Sequence, residues 1–231
     1  MRALDILFED NHLIAINKKA GVLVQGDVTG DVPLSEIVKE HIKEKYKKPG
    51  AVFLGVVHRL DRPVSGVVVF ARTSKSLERM NELFRNRETE KIYHAIVCGK
   101  PAKPSDTLIH WLVKDESRNK TTAYKREHAD GLRSELSYEL KSYGANGASS
   151  KSGRSLLEVH PVTGRPHQIR VQLSSIGCPI VGDLKYGAEE ANPDASICLH
   201  ASKLQFIHPV RKEPVTITAP FPQNHLWNNF R

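Results

Sequence analysis

Short apolar runs separated by polar turns follow one another along most of the chain, and this pattern predicts a protein rich in strands. At the start, DILFE and LIAIN flank the turn Asp10-Asn11-His12 and predict a β-hairpin. From Thr107 to Tyr143 polar and apolar positions alternate, so LIHWLVKD, TTAYKRE and SELSYELKSY predict three more strands. GVV, VVVF, KIYHAIVCG, RSLLEVHPV, SICLHASKLQF and VTITA complete the set.

Helical spacing of apolar residues is confined to about three segments. They are Leu34 to Lys47, with a cap near Ser35, Ser74 to Arg87, with Ser74 as the cap, and a short helix within GRPHQIRVQLSSIG. Many short strands with few helices, in no repeating βαβ order, indicate an α+β domain. We expect a largely antiparallel or mixed β-sheet flanked by helices and loops.

Two stretches lack this periodicity. GANGASSKSG, from Gly144 to Gly153, has no apolar residue larger than Ala and predicts an exposed, mobile hairpin tip. After VTITA the chain is expected to end in a polar tail. Neither stretch separates two cores, so a single domain over residues 1–231 is expected.

Composition narrows the classes of protein only modestly. The hydrophobic fraction of 39% and charged fraction of 26% are ordinary for a globular protein, while the net charge of +8 favours a polyanionic partner. The 3 cysteines show no C-x-x-C spacing and indicate a reducing compartment without structural disulfides. No signal peptide and no apolar run near the roughly 20 residues of a membrane span is present. We therefore expect a protein without membrane contact that is cytoplasmic, with an organellar location after processing as the alternative.

Several familiar chemistries lack their sequence support. There is no G-x-x-x-x-G-K-[ST], no G-x-G-x-x-G and no G-x-S-x-G. The 11 histidines are scattered and form no H-x-x-x-H or Cys/His cluster, so no metal site is expected. The remaining candidates are polar groups set among apolar residues.

The stretch HRLDRPVSG places four titratable side chains between two apolar runs, and Asp61 is its leading candidate. Pro63 restricts Arg62 to extended conformations, and Ser65-Gly66 permits a tight return into VVVF. A carboxylate placed there needs a cation or several hydrogen-bond donors, or its burial costs several kcal/mol. The residues alone leave two interpretations open: a structural Asp–Arg pair that fixes a loop, or a functional carboxylate.

A second candidate is the stretch HPVTGRPHQIRVQL. Arg165, His167, Gln168 and Arg170 follow one another at the start of the predicted short helix. Arg170 lies between Ile169 and Val171, which indicates a partly buried stem and a guanidinium directed at a carboxylate or phosphate. The alternative is a basic helix face that meets solvent.

Two weaker candidates complete the set. Tyr93 in KIYHAIV is by itself typical of a sheet residue. Lys18-Lys19-Ala20-Gly21 is a basic turn whose default interpretation is a solvated loop.

Six stretches together, spanning Asp5 to Thr218, resemble the RluA-type family of pseudouridine synthases, which act on ribosomal or transfer RNA. HRLDRPVSG resembles H-R-L-D-x-x-[TS]-S-G, with Val64 where Thr is commoner, and NKKAGVLV resembles K-P-x-G-[LM]-x-V, with Lys19 in place of Pro. KIYHAIV is similar to K-x-Y-x-A-x-V, and GRPHQIRVQL to G-R-x-H-Q-[IL]-R-x-H-[LM], with Gln172 in place of His. GCPIVGDLKYG and LHASKLQFIHP resemble G-x-P-[IL]-x-G-D-x-x-Y-G and L-H-A-x-x-L-x-F-x-H-P.

The resemblance implies an RNA isomerase of the pseudouridine synthase fold that uses no cofactor. Asp61 takes the place of the family's nucleophile, which attacks either C6 of the base or C1′ of the ribose. Arg170 takes the place of its cationic partner, with Arg165 as the second choice, and Tyr93 that of the tyrosine that stacks on the base and helps remove the C5 proton.

The same resemblance implies a single-stranded or stem-loop RNA substrate whose uridine leaves its stack. The RNA-binding residues it suggests are His58, Arg59, Arg62, Arg165, His167 and Gln168. The small RNA-binding domain that often precedes the catalytic domain in this family is expected to be absent. No exposed apolar stripe demands a dimer, so the oligomeric state stays open.

Two other functions compete with this one. A non-catalytic RNA-binding protein or assembly chaperone could use the same fold, but it would not need Asp61 or Tyr93. A glycosidase-like hydrolase would need a second carboxylate near Asp61, and no second acid is obvious in that region.

Overall fold

A computed structural model describes residues 4–144 and 153–230 of the protein. Within them the strands are β1 (Ile6–Glu9), β2 (Leu13–Lys18), β3 (Gly55–Val56), β4 (Ser65–Ala71), β5 (Glu90–Cys98), β6 (Ser105–Asp115), β7 (Lys120–Tyr124), β8 (Leu132–Gly144), β9 (Arg154–Pro161), β10 (Leu199–Ile207) and β11 (Pro214–Thr218). The helices are α1 (Leu34–Lys45), α2 (Ser74–Arg85), α3 (Gln168–Ser175) and α4 (His225–Asn228), with a 3-10 turn at Leu184–Tyr186.

The chain folds as two compact units. The first unit comprises the chain through Glu90 together with Ala201–Pro220. The second comprises Lys91–His200 together with the chain from Phe221 onward.

In the first unit, β2 pairs antiparallel with both β1 and β4, while β3 pairs with β4 and β11 with β10. Every residue of β4 is buried, which explains its continuous apolar run. Met80 of α2 packs with residues of β2 and β4, among them Leu13, Ala15, Val67 and Val69. This core supports the loop that enters β4, where Asp61 lies.

In the second unit, antiparallel strands follow the order β5-β9-β8-β6-β7. Alternate residues of these strands are buried, because one face of the sheet carries the core. Val171 of α3 packs against Leu112 and Tyr186, with Ala123 of β7 at the edge of the cluster. The sheet therefore fixes the position of α3 and of the side chains at its start.

These elements confirm the α+β class and a largely antiparallel sheet. Two predicted helix caps need correction, and one helix of the structure was not predicted. The N-cap of α1 is Pro33, not Ser35, and that of α2 is Thr73, whose hydroxyl accepts a hydrogen bond from the Ser76 N–H. The expected polar tail is wrong, because it contains α4 with Trp227 buried.

Two expectations on the organisation of the chain stay predictions. One is the single catalytic domain over residues 1–231. The other is the mobile hairpin tip, since residues 145–152 lie outside the described part of the chain.

Within residues 4–144 and 153–230, no helix is long and apolar enough to cross a membrane. The cysteines Cys98, Cys178 and Cys198 are free thiols. The described side chains include no group of three His, Cys, Asp or Glu residues placed to hold a metal ion.

Candidate active site

The stretch HRLDRPVSG comprises most of the loop between β3 and β4 of the first unit and the first two residues of β4, Ser65 and Gly66. Leu60 and Val64 are 7% and 2% exposed and anchor the loop on either side of the acidic residue. The carbonyl of Asp61 accepts a hydrogen bond from the Val64 N–H at 3.0 Å, which closes a tight turn over Pro63. The loop therefore holds Asp61 at a fixed, half-buried position.

Gly66 fixes the path by which this loop enters β4. Its φ of +116° lies in the region that favours glycine, and a Cβ there would come within 2.2 Å of the Ala201 carbonyl oxygen. The backbones of Gly66 and Ala201 thus approach more closely than any side chain permits.

Lys18, at the end of β2, corrects the expectation of a solvated basic loop. It is only 1% exposed, and its Nζ donates to the carbonyls of Lys19 at 3.1 Å, Val22 at 2.8 Å and Arg62 at 3.1 Å. Burial lowers the pKa of Lys18 to about 7, although the negative charge of Asp61 acts in the opposite direction. A buried amine thus belongs to the electrostatic surroundings of the candidate nucleophile.

Arg62 links the Asp61 loop to the segment that follows β2. Its Nε donates to the Gly21 carbonyl at 3.0 Å, and its Nη2 pairs with the Asp31 carboxylate at 2.6 Å. In return, the Gly21 N–H donates to the Arg62 carbonyl at 2.8 Å. Sequence reasoning overlooked Asp31, because nothing in its exposed, loop-like surroundings marks it as a partner.

His58 and Arg59, which precede Asp61, differ in their surroundings. The Nε2 of His58 accepts a hydrogen bond from the Val69 N–H at 3.1 Å, so this nitrogen carries no proton. The His58 ring also stacks on Phe84 with centroids 5.0 Å apart. Arg59 is exposed. RNA binding by His58, Arg59 and Arg62 stays a prediction. The side chain of Arg59 is more accessible than that of His58.

In the second unit, Arg170 of α3 lies within a buried ion pair. Its Nε donates to Oδ2 of Asp183 at 2.7 Å, and its Nη2 to Oδ1 at 2.8 Å, while the two side chains are 7% and 1% exposed. The expected buried stem and carboxylate fork are therefore present. Sequence reasoning matched Arg170 with Asp61 and overlooked Asp183 as a partner, although GDLKYG had been singled out as a motif.

The residues before α3 are held by the turn that leads into it. Gln168 is 4% exposed; its Nε2 donates to the Glu135 carbonyl at 3.0 Å, and its Oε1 accepts from the Thr163 hydroxyl at 2.8 Å and the Arg165 N–H at 3.0 Å. His167 adopts a left-handed backbone with φ 54° and lies half-buried. The Gln168 amide thus shapes the turn. RNA binding by Arg165, His167 and Gln168 stays a prediction.

Tyr93 lies in β5, opposite Val159 of β9, and is half-buried. The predicted site residues therefore fall into two groups. His58, Arg59, Asp61 and Arg62 share one loop of the first unit, and the others lie in the second.

The fold and these two groups define a class: an α+β protein with a carboxylate on a rigid loop near a buried amine, and with an arginine oriented by a buried carboxylate. Such charged groups, held at a cost to stability, are typical of enzymes that work by nucleophilic or acid–base catalysis.

Comparison with known proteins narrows this class to a family. The model of a family described as RNA pseudouridylate synthase matches residues 12–175. The tRNA pseudouridine synthase C of Vibrio cholerae is 32% identical, with 94% of this chain and 90% of that protein covered. The dual-specificity RNA pseudouridine synthase RluA of Vibrio vulnificus is 32% identical, with 89% and 78% covered. Among solved structures, human RNA pseudouridylate synthase domain containing 4 is similar with a TM-score of 0.75 and 25% identity over 94% of this chain and 88% of that one.

The chain belongs to the RNA pseudouridylate synthase family. Its resemblance to the RluA type, its fold and its assignment as an isomerase of uridine in RNA are thereby confirmed. The alternative of a non-catalytic RNA-binding protein or assembly chaperone is not favoured.

Proposed function

We propose that this protein converts specific uridines of ribosomal or transfer RNA to pseudouridine without a cofactor, with Asp61 as the nucleophile. The observation that carries the proposal is the position of Asp61 in the HRLDRPVSG loop, where Leu60, Val64 and the Gly66 backbone hold it in place. The relatives named above support the RNA substrate, since one is a tRNA enzyme and another is dual-specific.

In the proposed reaction the N1–C1′ bond of the uridine breaks, the base turns, and C5 bonds to C1′. The C5 proton leaves and N1 takes up a proton, so the product is an isomer of the substrate. The ionised carboxylate of Asp61 attacks either C6 of the base or C1′ of the ribose, and its bond to that carbon breaks again before the product leaves. Both routes need the carboxylate unprotonated.

We assign Tyr93 and Arg170 the roles of base-stacking tyrosine and cationic partner, and these assignments rest on the motif positions that they occupy. Tyr93 would then assist removal of the C5 proton. Arg170 would favour the charged form of the catalytic carboxylate.

The uridine must leave its stack to react, which costs a few kcal/mol and favours unpaired or loop positions. We propose that Arg59 contacts the flanking RNA, because its cationic side chain is exposed and lies two residues before Asp61 in sequence. His58, Arg62, Arg165, His167 and Gln168 are proposed to shape or contact the RNA site. The net charge of +8 supports attraction of phosphates, so binding should weaken as salt rises.

We further propose a cytoplasmic location. The RNA substrates and the reducing conditions that keep Cys98, Cys178 and Cys198 as thiols occur together there.

Replacement of Asp61 tests the proposal. Purified protein is incubated with total RNA from a strain that lacks the gene, and pseudouridine is mapped by nucleotide position. Wild-type protein should restore the sites that the strain lost, and Asp61→Asn should reduce the rate at least about 1000-fold while RNA affinity is retained. Asp27→Asn, which changes an exposed carboxylate of the same unit, is the matched control and should keep full activity.

Full activity of Asp61→Asn would exclude Asp61 as the nucleophile. Release of free uracil in place of pseudouridine would instead identify a hydrolase, and an unchanged map in the deletion strain would contradict the proposed activity.

A further inference from the structure

Arg170 lies at the centre of a buried polar cluster in the second unit. The proposed reaction assigns no role to the other two members of this cluster, Asp183 and Tyr186. Arg170, Asp183 and Tyr186 are 6%, 1% and 5% exposed. A buried ion pair is often no more stable than apolar residues of the same volume, because both charges lose their hydration. The burial of this pair is therefore weak evidence for a purely stabilising role.

Asp183 fixes the plane of the Arg170 guanidinium. The two parallel bonds, Nε to Oδ2 at 2.7 Å and Nη2 to Oδ1 at 2.8 Å, form a fork that permits little rotation about the end of the side chain. The direction in which the Nη1 edge points is therefore set by the position of Asp183. A lysine could carry the same charge but could not be oriented in this way.

Tyr186 supports the face of the same guanidinium. The Arg170 Cζ lies 5.0 Å from the centre of the Tyr186 ring, a cation–π arrangement. The phenol oxygen accepts a hydrogen bond from the Thr121 N–H at 2.8 Å and lies 2.7 Å from Nδ1 of His167. The phenol and the His167 ring nitrogen are thus joined by a hydrogen bond whose donor is set by the tautomer of the ring. The ring is thus fixed by β7 on one side and by the start of α3 on the other.

The backbone that carries Asp183 is equally constrained. Gly182 has a φ of +87°, and a Cβ there would come within 2.6 Å of the Ser196 carbonyl oxygen. The Asp183 N–H donates to the Ile180 carbonyl at 3.0 Å, and the Asp183 carbonyl accepts from the Tyr186 N–H at 3.0 Å. The GDLKYG turn therefore presents the carboxylate and the aromatic ring to Arg170 as one rigid piece.

From this arrangement we propose that Asp183 and Tyr186 are positioning residues for uridine isomerisation, which act by holding the Arg170 guanidinium in one orientation. The inference rests on the proposed function, because it assumes that Arg170 serves the reaction. The inference adds that a positive charge at position 170 is not sufficient for fast isomerisation. The orientation of the guanidinium plane also determines the rate of the reaction.

The first test measures the single-turnover rate at saturating RNA together with RNA affinity. In Asp183→Asn the rate should fall on the order of 100-fold, the effect of a small misplacement of a reacting group. RNA affinity should change by less than about threefold, since the change affects the transition state and not ground-state binding. An unchanged rate in folded Asp183→Asn would overturn the proposal.

A double-mutant cycle separates positioning from a merely structural role. If Asp183 acts through Arg170, its replacement by Asn should reduce the rate by less than about threefold further once Arg170→Lys has removed the fork. If Asp183 only maintains the fold, the two reductions should multiply instead. Multiplication would overturn the proposal even if each single variant is slow.

Tyr186→Phe keeps the test decisive if Asp183→Asn does not fold. It retains the ring but loses the bonds to Thr121 and His167, and the rate should fall by about tenfold at unchanged RNA affinity. Tyr138→Phe, at another buried tyrosine of the same unit, and Glu158→Gln, in an ion-pair group with Lys141 and His160, are matched controls that should keep the wild-type rate. A wild-type rate in Tyr186→Phe would count against the proposal.

The failure of this inference differs from a failure of the proposed function. If wild-type protein forms no pseudouridine, the proposed function is wrong. If wild-type protein is active and both Asp183→Asn and Tyr186→Phe are equally active, only the positioning role is wrong.

Discussion

The buried amine of Lys18 gives the stability of the protein a distinctive dependence on pH. Its pKa falls from 10.5 to about 7 because burial disfavours the charged form. Between these values the unfolded chain binds a proton at Lys18 that the folded protein has released. Stability should therefore rise as the pH rises through this window, and Lys18→Met should abolish that rise.

The size of the effect follows from linkage. A difference of one bound proton between the unfolded and the folded state changes the free energy of unfolding by about 1.4 kcal/mol per pH unit. Between about pH 7.5 and about pH 9.5 the folded form is mostly neutral at Lys18 and the unfolded form mostly charged, so wild-type protein should gain about 2 to 3 kcal/mol relative to Lys18→Met. Because Lys18 is 1% exposed, solvent screening does little to reduce this figure. The neutral amine has two protons and donates to only two of the three carbonyls, which slightly reduces the expected gain in stability.

Urea unfolding at several pH values measures this difference. Circular dichroism is the suitable signal, because Trp111 and Trp227 both lie in the second unit and would not report on the first. Lys19→Met is the matched control, since Lys19 adjoins Lys18 in sequence but is exposed. Its free energy of unfolding should follow that of wild-type protein at each pH.

A difference between wild-type protein and Lys18→Met that stays constant with pH would refute this reasoning, since it would mean that Lys18 keeps an ordinary pKa in the fold. Asp61→Asn supplies an independent check. The charge of Asp61 raises the pKa of Lys18 in the folded protein, so its removal should extend the lower end of the window to lower pH.

Two further predictions concern the first unit. Gly66→Ala should abolish soluble folding, because the new Cβ would lie 2.2 Å from the Ala201 carbonyl oxygen, whereas Gly21→Ala, at φ +84° with no atom within 4 Å, should cost only on the order of 1 kcal/mol in thermal unfolding. His208 is fully buried, and burial lowers its pKa although Asp10 opposes this. Stability should thus fall as the pH falls below 6.5, where the unfolded chain takes up a proton and the folded ring does not. His208→Gln should show a weaker fall in acid unfolding experiments, and an equal fall would refute the assignment.

The regular elements were largely predictable, because each buries one apolar face. The predicted helix from Leu34 to Lys47 corresponds to α1, Leu34–Lys45, and the one from Ser74 to Arg87 corresponds to α2, Ser74–Arg85. The three strands expected between Thr107 and Tyr143 are β6, β7 and β8. In contrast, α4 has only four residues, which is too short for a periodic pattern to be visible.

The candidate site was predictable only in part. The stretch HRLDRPVSG drew attention because charges between two apolar runs are costly, and the structure places it in a tight loop as expected. The burial of Lys18 was not predicted, because its partners are three backbone carbonyls, which a pattern of side chains does not reveal. Asp31 was overlooked because an exposed acid between Gly30 and Val32 has many ordinary explanations.

Asp183 and Lys18 illustrate a general limit of sequence reasoning about buried charge. A buried charge is recognised by the partner that compensates it, and that partner is close in space but can be distant in sequence. Arg170 and Asp183 are 13 residues apart, and Lys18 and the Arg62 carbonyl are 44 apart. In both cases the sequence contained one charged residue with no visible reason to be buried. Such residues should be tested first in relatives of this protein, because buried ionisable groups cluster at functional sites.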